Sequence, residues 1–123
     1  MSKVIVVDDD YSTTNLVRMF LEMEGFDVST FNETTRALAA AEEGVAAFII
    51  DCYLGKDANG IDMLRSIRKH SDAGVRQAPV IMVSGDQRLA ERVIIEGADR
   101  FLLKPYSPSD LTKEIQALIA ASA

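Results

Sequence analysis

The chain has a single cysteine, Cys52, among its 123 residues, so no disulfide can form within it and a reducing compartment is its natural setting. It also lacks basic surplus: 13 Lys and Arg stand against 19 Asp and Glu, and the formal net charge of −6 argues against direct nucleic-acid binding by phosphate neutralisation. No apolar run is long enough for a membrane span, and the residues after Met1 enter a strand-like segment rather than the apolar core of an export signal. A cytoplasmic protein without membrane contact is expected. Neither G-x-x-x-x-G-K-[ST] nor G-x-G-x-x-G occurs, which disfavours nucleotide binding. No stretch is rich enough in Pro, Gly and Ser to be a joint, and no repeat period shows, so residues 1–123 are expected to form one domain.

What is present is an alternation. Short β-branched or aromatic runs, Val4-Ile5-Val6-Val7, Asp27-Val28-Ser29-Thr30-Phe31, Ala47-Phe48-Ile49-Ile50, Val80-Ile81-Met82-Val83 and Arg100-Phe101-Leu102-Leu103, are separated by segments with helical spacing. Most of these runs are continuously apolar, as strands covered on both faces should be. The first helix carries Leu16, Met19, Phe20 and Met23 as its apolar set, and the second is alanine-rich, with Leu38, Ala39 and Ala41, ending near Gly44. Ile61, Leu64 and Ile67 mark the third. Leu89, Val93, Ile94 and Ile95 mark the fourth, stopped by Gly97; Leu111, Ile115, Leu118 and Ile119 mark the fifth, with Ser107 or Ser109 as N-cap. Right-handed crossovers then give an α/β, doubly wound, three-layer fold with five strands and five helices. In such folds the site lies beyond the carboxyl ends of the strands.

At those ends stand Asp8 and Asp9, Asp51, Ser84 and Lys104. Three carboxylates brought together repel one another, which either raises a pKa or demands a cation, and Mg²⁺ suits a few carboxylate oxygens while keeping waters. A carboxylate can itself attack phosphorus to form an acyl phosphate if the developing charge is neutralised, here by the ion and Lys104, with Ser84 as a hydroxyl donor. Each residue alone has a plainer reading as a cap, a turn former or a solvated side chain, and Asp10 is expected to cap the first helix.

The ordered set Val6-Val7-Asp8-Asp9-Asp10, Ile49-Ile50-Asp51, Met82-Val83-Ser84-Gly85 and Leu102-Leu103-Lys104-Pro105 resembles the CheY-like receiver domain of two-component response regulators across essentially the whole chain. The resemblance implies a flavodoxin-like parallel sheet of order 2-1-3-4-5. It makes Asp51 the phosphoacceptor, Asp8 and Asp9 Mg²⁺ ligands, and the Tyr53 backbone carbonyl a further ligand. It implies that Ser84 and Lys104 engage the phosphoryl group, that Phe101 is the aromatic switch residue, and that the Lys104-Pro105 bond is cis. The implied phosphodonor is a sensor histidine kinase or a phosphotransfer protein. A downstream target, an output domain or a second copy would then dock on the fourth helix, fifth strand and last helix.

One departure follows the acceptor: Gly55 in Asp51-Cys52-Tyr53-Leu54-Gly55-Lys56 stands where receivers commonly carry Pro, and the segment to Gly60 is about one residue longer than usual. Tyr53 and Asp86 flank the expected path of attacking water and are candidates for setting the lifetime of the phosphorylated state. The rival reading is a haloacid-dehalogenase-type phosphatase, with Asp8 as nucleophile and Asp10 as acid/base; it lacks a second acidic pair beyond the Lys and leaves Asp51 idle. A flavodoxin-like FMN carrier would need a Ser/Thr/Gly-rich loop where the acids stand. His70 is read as a solvated residue at the polar end of the third helix. Cys52 is read as an inert buried thiol, Met19, Met23, Met63 and Met82 as core fillers, and Arg88, Glu91 and Arg92 as a solvated face.

Overall fold

The computed structural model describes residues 2–55 and 59–122. Its strands are β1 (Lys3–Val7), β2 (Asp27–Phe31), β3 (Ala47–Asp51), β4 (Val80–Ser84) and β5 (Arg100–Leu103). The helices are α1 (Tyr11–Met23), α2 (Thr34–Ala41), α3 (Asn59–Arg68), α4 (Ala73–Arg76), α5 (Ala90–Ile95) and α6 (Pro108–Ser122). The sheet is wholly parallel with order β2-β1-β3-β4-β5, as the resemblance implied.

Period-two alternation sorts the central strands between two cores. Ile5, Val7, Phe48, Ile50 and Met82 point to one face, where Ala37, Leu64, Ile67 and Val93 of α2, α3 and α5 cover them. Val4, Val6, Ile49, Ile81 and Val83 point to the other, against Val17 and Leu21 of α1 and Leu111, Ile115 and Leu118 of α6. Burying one such side chain contributes about 1.5–3 kcal/mol, so the sheet is the rigid base on which the site stands.

The helices depart from expectation in three places. Five were expected; α4 is an additional single turn, begun by the Asp72 carboxylate accepting the Val75 N–H. On α1 the buried residues are Thr14, Val17 and Leu21, whereas Met19 and Met23 are 52% and 80% exposed and Leu16 and Phe20 lie half out. The helix carries two apolar stripes, and the sheet takes the one whose β-branched Thr14 and Val17 allow close approach. Ile94 and Ile95 likewise face outward, leaving Val93 as the buried anchor of α5. Met63 and Met82 are buried as expected. Ser107, not Ser109, caps α6, its Oγ accepting the Asp110 N–H at 3.4 Å.

Polar ties hold α3 to the far end of α5. Arg65 donates from Nε and Nη2 to Glu96 at 2.9 and 2.8 Å, and Arg68 donates to the carbonyls of Gly97, Arg76 and Ala78 and to Asp99. The Arg65 hydrogen bonds hold the Glu96 carboxyl below its ordinary value of 4.5. A folded-state pKa below the unfolded one stabilises above the unfolded value, and that stabilisation is lost as pH falls through the folded value. Glu96→Gln is therefore expected to unfold at lower urea than wild type at neutral pH, the two converging in acid below the Glu96 folded value. Urea midpoints measured across pH check this, and parallel curves would contradict it.

Candidate functional site

A parallel sheet brings the carboxyl ends of all its strands to one edge. Val7 pairs with Ile50, so Asp8, just beyond β1, and Asp51, the last residue of β3, stand side by side. Lys104 follows β5, its N–H donating to the Ser84 carbonyl at 2.8 Å, and its side chain reaches across β4. The Nζ donates to Asp51 Oδ2 at 2.8 Å and to Asp8 Oδ2 at 2.9 Å. Asp9 lies outside these two and is exposed. One carboxylate oxygen from each of Asp8, Asp9 and Asp51 falls within 4.8 Å of the others.

Each carboxylate also accepts a backbone amide. The Asp10 N–H binds Asp8 Oδ1 at 2.9 Å, the Tyr53 N–H binds Asp51 Oδ1 at 3.1 Å, and the Gly55 N–H binds Asp9 Oδ2 at 2.6 Å. Asp8 and Asp51 are only 5% and 7% exposed. Burial raises the Asp51 carboxyl above its ordinary value, the Lys104 bonds offsetting this only in part. Burial lowers Lys104, but its bonds to Asp51 and Asp8 outweigh that and keep it firmly cationic. Three carboxylates facing one ammonium leave an excess of negative charge in a set of hard oxygen donors, one of them open to solvent. Such a donor set fits Mg²⁺, which takes few carboxylates and retains water.

The other expected residues take defined places. Ser84 is buried at the end of β4, and its Oγ accepts the Asp86 N–H at 3.0 Å rather than bonding Asp51. Phe101 pairs with Met82 and packs, half-buried, against the core under α2, α3 and α5. The Tyr53 side chain is exposed, and its N–H serves Asp51. The Asp86 carboxylate accepts from the Arg88 backbone, Nε and Nη2 at 3.0, 2.9 and 3.0 Å. The Lys104-Pro105 bond is cis. Cys52 is fully buried, and burial pushes its thiol up to about 12, which leaves it inert as a nucleophile.

His70 lies beyond the far end of α3, away from the acids. It is not the solvated residue expected: its side chain is 17% exposed, Nε2 lies 3.3 Å from Glu42, and Nδ1 accepts the Asp72 N–H. Lys56 and the expected extra loop residue fall on 56–58, outside the described residues.

Two contributors escaped the sequence reading. Gly60 presses against the Asp51 backbone: its N–H donates to the Cys52 carbonyl, and a Cβ there would sit 1.8 Å from the Asp51 carbonyl oxygen. Because that obstacle is backbone, Gly60→Ala is expected to cost about 1–3 kcal/mol and to displace Asp51. Urea unfolding measures the cost, and unaltered stability would refute it. Tyr106, half-buried beside Lys104, lines an apolar groove with Leu16, Val17, Pro105 and Pro108, and burial pushes its hydroxyl up to about 12.

A family model described as the response regulator receiver domain matches residues 4–116. The transcriptional regulatory protein CpxR of Klebsiella pneumoniae is 36% identical over 124 residues, covering 99% of this chain and 51% of that protein. The CpxR homolog of Haemophilus influenzae is 38% identical over 125 residues, covering 100% and 52%. The chain thus spans about half the length of the curated relatives it matches. The crystal structure of a response regulator receiver domain protein from Clostridium thermocellum superposes with a TM-score of 0.86 at 28% identity, covering 99% of this chain and 97% of that one. The phosphatase alternative finds no support. Asp10, its required acid/base, is spent as the cap of α1, accepting from the amides of Ser12 and Thr13 and from the Thr13 hydroxyl.

Proposed function

The chain belongs to the response regulator receiver domain family, and we propose that residues 1–123 form one switch domain that accepts a phosphoryl group on Asp51. The observation that carries this reading is the shared ammonium: Lys104 bonds Asp51 and Asp8 at 2.8 and 2.9 Å, with Asp9 completing a set of oxygen donors.

An Asp51 carboxylate oxygen attacks the phosphorus of a phosphohistidine on a sensor kinase or phosphotransfer protein. The new O–P bond forms as the P–N bond breaks, and the imidazole leaves with that electron pair. Asp8, Asp9, Asp51 and the Tyr53 backbone carbonyl would hold Mg²⁺, which when bound neutralises charge on the phosphoryl oxygens. Lys104 offsets the added negative charge. Ser84, whose Oγ accepts the Asp86 amide before phosphorylation, turns to donate its hydroxyl to a phosphoryl oxygen, and Phe101 follows it inward; without a hydroxyl, Phe101 reads out by packing alone. Tyr53 and Asp86, the latter restrained by Arg88, set how long the acyl phosphate lasts.

The face of α5, β5 and α6 then changes affinity for a downstream target, an output domain or a second copy. Ile95, 76% exposed there, together with Ile94 and Leu103, supplies apolar contact area. The domain modifies only itself and is in that sense a switch rather than an enzyme, acting in the cytoplasm; no helix among the described residues is long and apolar enough to cross a membrane.

The test is intact mass after incubation with acetyl phosphate. One phosphoryl group per chain is expected with Mg²⁺ and none with a chelator, and peptide mapping should place it on Asp51. No gain, or a label elsewhere, overturns the reading.

A further inference from the structure

The three carboxylates of the site differ in how they are held. Asp8 and Asp51 are buried, and each is fixed twice, by an amide two residues ahead and by Lys104. Asp9 is exposed, and its one hydrogen bond among the described residues is the 2.6 Å contact from the Gly55 N–H, 46 residues away in sequence. That donor exists because position 55 is not proline, which has no N–H. The amide is aimed by a backbone φ of +72°, a conformation that glycine adopts freely.

We propose that Gly55 is a positioning residue for the metal centre: its amide fixes the Asp9 carboxylate through Oδ2 and leaves Oδ1 without a hydrogen bond among the described residues, available to Mg²⁺. The inference rests on the reading of Asp8, Asp9 and Asp51 as the Mg²⁺ site. The physical case is one of preorganisation. An exposed aspartate samples several rotamers, and a ligand that must be frozen on binding costs affinity that one already held does not. Mg²⁺ takes a carboxylate through one oxygen without difficulty, so the bond from Gly55 to the other oxygen can persist in the loaded state. Outer partners that orient metal ligands typically account for about 10–100-fold in affinity. A further consequence is linkage: the segment after the acceptor and the metal stabilise each other, because both act on the same carboxylate.

The experiment is calorimetric titration of the whole chain with MgCl2. Wild type is expected to bind, and Gly55→Pro, which removes the donor, to bind about 10-fold more weakly. Gly55→Asn keeps the N–H and tolerates positive φ, so it should stay within about three-fold of wild type. In an Asp9→Asn background Gly55→Pro should cause no further loss, since the amide acts through Asp9. Should Gly55→Pro fail to fold, the Gly55 amide proton in wild type remains informative. Its resonance should lie far downfield, as for a proton held by a carboxylate, and should move upfield in Asp9→Asn.

Gly55→Pro binding as tightly as wild type, Gly55→Asn losing as much as Gly55→Pro, or an amide resonance indifferent to Asp9→Asn overturns the proposal. Failure of wild type itself to bind Mg²⁺ removes instead the reading of the acids as a metal site.

Discussion

Lys104→Ala is expected to slow phosphorylation by acetyl phosphate about 100-fold or more and to destabilise the metal-free protein. The rate effect follows from removing the fixed cation that bonds both Asp51 and Asp8, since one preorganised charge stabiliser is worth about 10²–10³ in rate. The stability effect follows from burial: Asp8 and Asp51 are nearly closed off from solvent and would face each other with no counter-charge. Removing one partner of a fully buried ion pair costs about 3–5 kcal/mol. The Lys104 side chain is 26% exposed, so screening reduces the expected loss to about 2 kcal/mol. Mg²⁺ should restore more stability to Lys104→Ala than it adds to wild type, because the ion replaces the missing charge. Urea unfolding with and without Mg²⁺ tests this, and equal metal effects in the two proteins would contradict it.

Asp51→Asn, at the other end of the same 2.8 Å bond, should have the opposite effect on stability. Phosphoryl incorporation should vanish, since an amide is not a nucleophile toward the donor. The metal-free protein should nevertheless become more stable at neutral pH. Burial raises the Asp51 carboxyl above its ordinary 3.8, so its contribution is fully present below the unfolded value and is lost as pH rises through the folded one. At neutral pH the ionised group therefore opposes folding, and a neutral side chain of the same shape relieves that. The gap between Asp51→Asn and wild type should narrow in acid and again on adding Mg²⁺ to wild type. A variant less stable than wild type at neutral pH would show that the pairing with Lys104 outweighs desolvation. Loss of phosphoryl incorporation together with a gain in stability would mark residue 51 as a position kept for chemistry at the expense of folding.

Most of this arrangement was readable in the chain because a parallel sheet turns sequence order into spatial order. Five apolar runs fixed the strands to within a residue, and the acids, serine and lysine at their carboxyl ends had to share one edge. Where reading failed, two solutions looked alike in one dimension. The first helix offers Leu16, Phe20 and Met23 on one stripe and Thr14, Val17 and Leu21 on another, and hydrophobicity favours the first although the sheet packs the second. Helix α4 is too short for periodicity, its only local signal being Asp72 at the cap. The roles of Gly55 and Gly60 depend on backbone approach across the site, which composition does not encode; the departure from proline at 55 was visible, but its amide bond to Asp9 was not.

The reach of Lys104 also bears on biosynthesis. Its ammonium joins positions 96 and 53 residues earlier in the chain, so a nascent polypeptide can complete four strands and still carry an uncompensated acidic rim. The counter-charge reaches that rim only once β5 has taken its place beside β4, so the charge balance of the whole edge depends on the last strand of the sheet.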